Sequence, residues 1–195
     1  MCTGKCSKFI GITLYPLAVL SILCNILLFF PGWSTQYAKN DSENSPRLTN
    51  EVKYMGGVIG GGIMVLIPAI HIHLTGKQGC CANRCGMFLS IGFAVLGVAG
   101  AMYSLGVAAA GMANGPVCSD STGVWERPFA NNSGSYLQNP GIWNTCIEPK
   151  DVVEFNVGLF STLLVTSCLE LILCGFQALN GLFGCLCGTC NNKSV

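Results

Sequence analysis

Thirteen cysteines in a chain of 195 residues offer the most chemistry, and their spacing sorts them into three groups. Cys118 and Cys146 stand apart from the rest in a polar stretch, where an oxidising exterior would join them as one disulfide. Closing the segment between them would stabilise it by roughly 3 to 4 kcal/mol through lost chain entropy. A second group, Cys2, Cys6, Cys80, Cys81, Cys85, Cys185, Cys187 and Cys190, flanks long apolar runs on segments that carry Lys or Arg and no acid. Thiols held at a cytosolic membrane interface suit S-acylation, each chain adding about 0.8 kcal/mol per buried methylene; plain reduced thiols are the bland alternative. Zinc is the rival chemistry, since Cys187 and Cys190 make a C-x-x-C pair with His71 and His73 toward the same side. Three separate segments would have to converge for that, so neither a metal nor any other cofactor is expected. Cys24, Cys168 and Cys174 lie inside apolar runs and read as small packing residues.

Glu170 is the one formal charge deep in an apolar run. A carboxyl in hydrocarbon is costly, so it is read first as functional. No Lys or Arg falls at its depth, and it is therefore expected to serve as a hydrogen-bonding acid that ties helices together. Counting inward at about 1.5 Å per residue brings Tyr103 and Ser104 to its level and leaves Asn25 about 10 Å nearer the outer face. Tyr103 is thus the expected partner. An ion or proton pathway would need several polar groups in register, and the first two apolar runs offer few. His71 and His73 lack a matched acid or nucleophile, and no Ser-His-Asp set, phosphate-cradling loop or H-E-x-x-H pattern occurs in an accessible segment. The sequence does not describe an enzyme.

The elements that position these residues follow from composition. The chain is 51% hydrophobic and 10% charged, too little polar surface to coat a soluble globule. Its net charge of +1 gives no field that would draw nucleic acid. Four runs reach the roughly 20 apolar residues needed to cross a bilayer. The expected order is an N-terminal tail 1–8, span 9–30, loop 31–54, span 55–74, connection 75–86, span 87–113, loop 114–156, span 157–186 and tail 187–195. The first run is too long for a signal-peptide core and ends in Phe29-Phe30-Pro31-Gly32-Trp33 without small residues for cleavage, so it reads as a retained anchor. Lys5, Lys8, Lys77, Arg84 and Lys193 place both tails and the short connection in the cytosol. The two loops are balanced or acidic and lie outside, each with an N-glycosylation sequon, at Asn40 and Asn131. The fold class is an all-α membrane protein, a bundle of four transmembrane helices with a small disulfide-closed second extracellular loop.

Glycines at 56, 57, 60, 61 and 62 in the second run and at 92, 97, 100, 106 and 111 in the third are expected to let helices of one bundle approach closely, in preference to mediating dimers. In the second loop Trp125, Phe129, Tyr136 and Trp143 are candidate partner contacts, aromatic rings being favoured in interfaces. Their alternative role is the loop's own small core.

Several segments resemble the transmembrane four L-six family of tetraspanin-like proteins. They are Met1-Cys2-Thr3-Gly4-Lys5-Cys6, Asn25 to Gly32, the glycine run ending at Pro68-Ala69, Gly115-Pro116-Val117-Cys118, Trp143 before Cys146, Glu148-Pro149, Leu159-Phe160-Ser161, and Cys168 through Gln177 and Asn180 to Gly188. The resemblance runs through nearly the whole chain in order. It implies a surface glycoprotein without catalytic activity, palmitoylated near the cytosolic face. Such a protein associates laterally with integrins, tetraspanins and receptors at the plasma membrane or in endosomal membranes, and influences adhesion, migration and proliferation. Bilayer lipids are its other partners, and a homo-oligomer is compatible with the residues. The chain departs from the family pattern at Asn156-Val157-Gly158, where many relatives carry a sequon, and in a shorter inner connection. A claudin-like junction protein would carry a cysteine pair in the first loop, which here has Trp33 and none. A small transporter or channel would have to work through Glu170.

Overall fold

The structure is a computed structural model that describes residues 3–42, 45–77, 84–130 and 135–186. Its frame is three long helices and one composite one: α1 (Thr3–Leu28), the second span, α6 (Arg84–Asn114) and α7 (Val152–Leu186). The second span joins α3 (Asn50–Lys53), α4 (Gly56–Val58), a π-helical segment Ile59–Ile63 and α5 (Met64–Lys77). A further short helix, α2 (Gln36–Lys39), lies in the first loop. Four stretches, Cys6–Leu28, Asn50–Leu74, Phe88–Asn114 and Val152–Phe183, are long and apolar enough to cross a bilayer. At 1.5 Å per residue the 35 residues of α7 span about 52 Å, well beyond about 30 Å of hydrocarbon. Its first turn therefore projects out of the lipid and carries Val152 and Val153 into the loop layer.

Around the bundle α1 packs on the second span and on α7, while α6 packs on α7 and on the second span. Apolar side chains such as Phe88, Met102, Val165 and Phe176 point outward, which is tolerable only where the solvent is lipid. The interior is correspondingly built from small and polar groups. Gly60 and Gly100 face each other where the second span crosses α6: a Cβ on Gly60 would lie 2.5 Å from the Gly100 carbonyl oxygen, and one on Gly100 2.7 Å from the Gly60 carbonyl oxygen. These helices touch backbone to backbone, the approach for which small residues are needed.

The second span is broken above that crossing. Met55 adopts φ 51°, a left-handed conformation unusual for a residue with a side chain, so α3 and α4 do not run on as one helix. The amide of Val58 bonds to the Met55 carbonyl at 3.0 Å and the Tyr54 carbonyl loses its helical donor. Pro16 and Pro68 sit inside α1 and α5 without ending them.

Between α6 and α7, strands β1 (Cys118–Ser119) and β2 (Trp125–Glu126) pair antiparallel, with Cys118 opposite Glu126. Ser119 also pairs with Glu148 across the other side, its carbonyl accepting from Ile147 at 2.9 Å. The Cys118–Cys146 disulfide closes this small sheet onto the short 3-10 helices Ser135–Leu137 and Pro140–Thr145.

Candidate functional site: the loop layer and the polar interior

The loop layer is assembled by a few directed contacts. Glu51, at the loop end of the second span, receives the Arg127 guanidinium from the second loop on one oxygen and the Asn114 amide from the end of α6 on the other, at 2.8 Å. Glu51 is almost wholly buried, so these partners offset the cost of burying its charge. The first loop closes over this joint. Asp41 pairs with Lys53 at 2.6 Å and accepts the amides of Arg47 and Leu48 at 2.8 and 3.1 Å. Burial raises the Asp41 carboxyl, but Lys53 and the two amides outweigh it and hold the group below its ordinary range. Arg47 in turn lies 4.9 Å above the Trp125 ring, with Tyr37 at 5.8 Å from the same ring.

Beneath the sheet the second loop has its own core of Cys118, Phe129, Tyr136, Val152 and Val153, flanked by Ile142, Trp143 and Val157. Phe129 and Tyr136 stack at 4.7 Å. The Tyr136 hydroxyl donates to the Met112 carbonyl at the end of α6 at 2.6 Å, and the Trp143 indole donates to the Tyr136 carbonyl at 2.8 Å. Burial pushes the Tyr136 phenol up to about 12. What this packing leaves outside is Val124, just before β2, and Ile147, next to the Ser119–Glu148 bridge, both more than half exposed.

The interior of the bundle carries a discontinuous set of polar contacts. Ser21 Oγ stands 3.1 Å from Glu170 Oε1 and 3.0 Å from Thr166 Oγ1, and Thr166 donates to the Leu163 carbonyl. The other Glu170 oxygen faces Gly61, where a Cβ would come within 3.1 Å of it. Ser167 donates to Ser104 at 2.8 Å. Asn25 Oδ1 accepts the amide of Gly57 at 2.7 Å and that of Val58 at 3.3 Å, capping the restarted helix below the break. Toward the other end, Gln177 donates to Ser7 at 3.0 Å.

The residues singled out from sequence separate into several outcomes. Cys118 and Cys146 are bonded as expected. Glu170 is fully buried, but its partner is Ser21 of α1; the expected Tyr103 instead donates to the Tyr54 carbonyl at 2.8 Å. The depth count was sound and the azimuth was not available from it: Tyr103 sits on the outer face of α6 and is 42% exposed. Phe129 and Tyr136, expected as candidate partner contacts, are buried in the loop's own core, the alternative role given to them. Trp125 is half covered by Tyr37 and Arg47, and Trp143 is half covered by the loop core. Asn40 is exposed at the end of α2. Cys6 is exposed on α1, while Cys24 and Cys174 are buried and Cys168 faces outward. Cys2, Cys80, Cys81, Cys187, Cys190 and Asn131 lie outside the described residues, as do the side chains of Cys85 and Cys185. Glu51, Arg127, Arg47 and Ser21 escaped sequence reading. One signal was available for Glu51, an acid abutting an apolar run and so in need of a partner.

The family model described as L6 membrane protein matches residues 1–191. The chain belongs to the L6 membrane protein family. This L6 chain is 43% identical to transmembrane 4 L6 family member 5 of Bos taurus over 99% of its own length and 97% of that protein's. It is 44% identical to transmembrane 4 L6 family member 1 of Homo sapiens over 97% and 96%. With transmembrane 4 L6 family member 4 of Mus musculus the identity is 44% over 97% and 94%. No solved structure matches the L6 chain. Family membership and four apolar helices together make it an integral, multi-pass membrane protein.

Proposed function

We propose that this chain is a non-enzymatic organiser of lateral membrane assemblies at the plasma membrane, its second loop acting as the recognition element. The observation that carries this reading is the construction of that loop. It has a hydrophobic core, a disulfide and an ion pair to the second span, so it stands on the bundle as a fixed platform. Its outer surface offers the apolar pair Val124 and Ile147 and the partly open ring of Trp125. Rigid apolar groups bind with little ordering cost. Integrins, tetraspanins and receptors are the partners that the family resemblance implies, with adhesion, migration and proliferation as the processes affected.

In this reading both ends lie in the cytosol and both loops outside, Asn40 and Asn131 are the glycan acceptors, and the cysteines flanking the spans are acylated. The exposed side chain of Asn40 and the exposed thiol of Cys6 are compatible with those modifications. A transport role through Glu170 finds less support. Ile10, Leu14, Val65, Ile72 and Cys174 fill the bundle on one side of its level, and Cys24, Leu28, Phe160 and Leu163 on the other.

Proximity labelling from the second loop tests the proposal by comparing the intact chain with Cys146→Ser and with Val124→Asp/Ile147→Asp. The neighbour set should change in both variants at equal surface level. An unchanged set would remove the loop from recognition.

A further inference from the structure

On the lipid-facing side of the bundle a groove of about 390 Å³ runs between the upper second span and α6, lined by Glu51, Tyr54, Met102, Tyr103, Gly106 and Val107, with Ala110 at its upper end. We propose that this groove is a binding site for a membrane sterol, a function separate from the loop-borne contacts above.

The groove exists because the helix is broken at Met55. The left-handed turn there leaves the Tyr54 carbonyl without its helical donor, and Tyr103 reaches up to supply one, which lays its ring along one side of the groove. Strained backbone of this kind persists where the surrounding structure holds it in place, and it clusters at ligand sites. The floor is flat at Gly106, where a Cβ would meet nothing within 4 Å. From Ala110 down to Met102 the groove covers about 12 Å at 1.5 Å per residue, entering the bilayer from the loop side.

Its chemistry selects the occupant. Every lining group is apolar or aromatic except at the loop end, where Glu51 stands, so the site suits a molecule with a single polar head above a rigid apolar body. Glu51 is already neutralised by Arg127, and Lys53 by Asp41, so an anionic phosphate finds no unengaged cation from these two residues. A carboxylate accepts up to about four hydrogen bonds, and Glu51 uses three, for Arg127, Asn114 and its own backbone amide. A neutral hydroxyl donor fits that remaining capacity. A flat ring system meets the Cβ-free face at Gly106 with less ordering cost than a flexible acyl chain.

The test uses the purified full chain in phosphatidylcholine vesicles containing a sterol with a photoreactive diazirine in its ring system. Cross-links should concentrate on peptides holding residues 51–54 and 102–110, and excess unlabelled sterol should compete them away. Gly106→Leu should cut the yield about tenfold, the effect of losing most of one such seat. Ala110→Phe serves as a second obstruction should Gly106→Leu not fold. Labelling spread evenly over the four spans, or unchanged in both variants, overturns the proposal. So does a wild-type chain that shows no sterol labelling but dimerises, with Gly106→Leu rendering it monomeric; the exposed row Gly92, Ala99 and Gly106 would then seat a second copy.

Discussion

Glu51 and Arg127 are 76 residues apart in sequence and form the ion pair that fastens the second loop to the second membrane span. Both are largely covered, and Asn114 fills the other Glu51 oxygen, so the pair depends on mutual presence. Removing one partner leaves a buried charge uncompensated, which costs about 3 to 5 kcal/mol in a fully buried pair and somewhat less here. Arg127→Ala should therefore destabilise more than Glu51→Gln/Arg127→Met, which removes both charges. Thermal unfolding in detergent measures the difference, and equal losses would show the pair to be idle.

Tyr136 joins the loop core to the end of α6, and its hydroxyl bond to Met112 is short and covered. Tyr136→Phe should lower loop stability by about 1 kcal/mol, the usual worth of one such bond. It should also change the alkaline limit. The folded phenol holds its proton up to about 12, against an unfolded value near 10. Its contribution is complete below pH 10 and is lost as pH rises toward 12. Circular dichroism of the aromatic bands should show that loss in the natural chain and a smaller one in Tyr136→Phe. Identical alkaline profiles would contradict the assignment.

At the acid end the relevant group is Asp41. Its carboxyl is held below the ordinary value by Lys53 and the amides of Arg47 and Leu48, despite the opposing effect of burial. A depressed acid contributes stability that is present above its unfolded value, near 4, and is lost as pH falls through the folded value. Asp41→Asn keeps an oxygen for the two amides and discards the ion pair, so it should flatten the acid profile with a modest loss at neutral pH. Asp41→Ala loses both and should free the first loop for proteolysis at every pH. Limited proteolysis between pH 3 and 7 separates the two.

The long helices could be read in the sequence because lipid imposes a simple rule: each span must be apolar and satisfy its own backbone. The disulfide was equally accessible, since Cys118 and Cys146 are the two cysteines of the loops. What resisted was rotation about each helix axis. Depth follows from counting residues, but a helix apolar on every face gives no moment to say which side looks inward. Tyr103 was therefore placed beside Glu170, when its ring lies on the lipid side and Ser21 supplies the contact. The break at Met55 was also hidden. It depends on a left-handed residue without glycine and on Asn25 reaching from another helix to cap Gly57 and Val58. The loop aromatics were identified as important, but whether a ring faces a partner or a core is decided by chain closure, and for Phe129 and Tyr136 the core prevailed.

Glu170 offers a sharp distinction between architecture and transport. Its side chain is wholly buried, contacts Ser21 through one oxygen and abuts Gly61 with the other. Gln has nearly the same shape and keeps an oxygen able to accept from Ser21, so Glu170→Gln should fold and reach the surface at close to the natural level. Glu170→Ala opens a cavity beside Gly61 and leaves Ser21 without its carboxyl partner, a loss of about 2 to 4 kcal/mol. Gly61→Ala should be comparably damaging, because its methyl would meet Ser21 Cβ and Oγ at 3.0 Å. If Glu170 is architectural, unfolding temperature and surface level should rank Gln above Ala, and ion flux across reconstituted vesicles should be the same for the natural chain and Glu170→Gln. A flux present in the natural chain and abolished by Glu170→Gln at unchanged stability would show that the carboxyl carries charge, and the apolar clusters above and below it would then have to open.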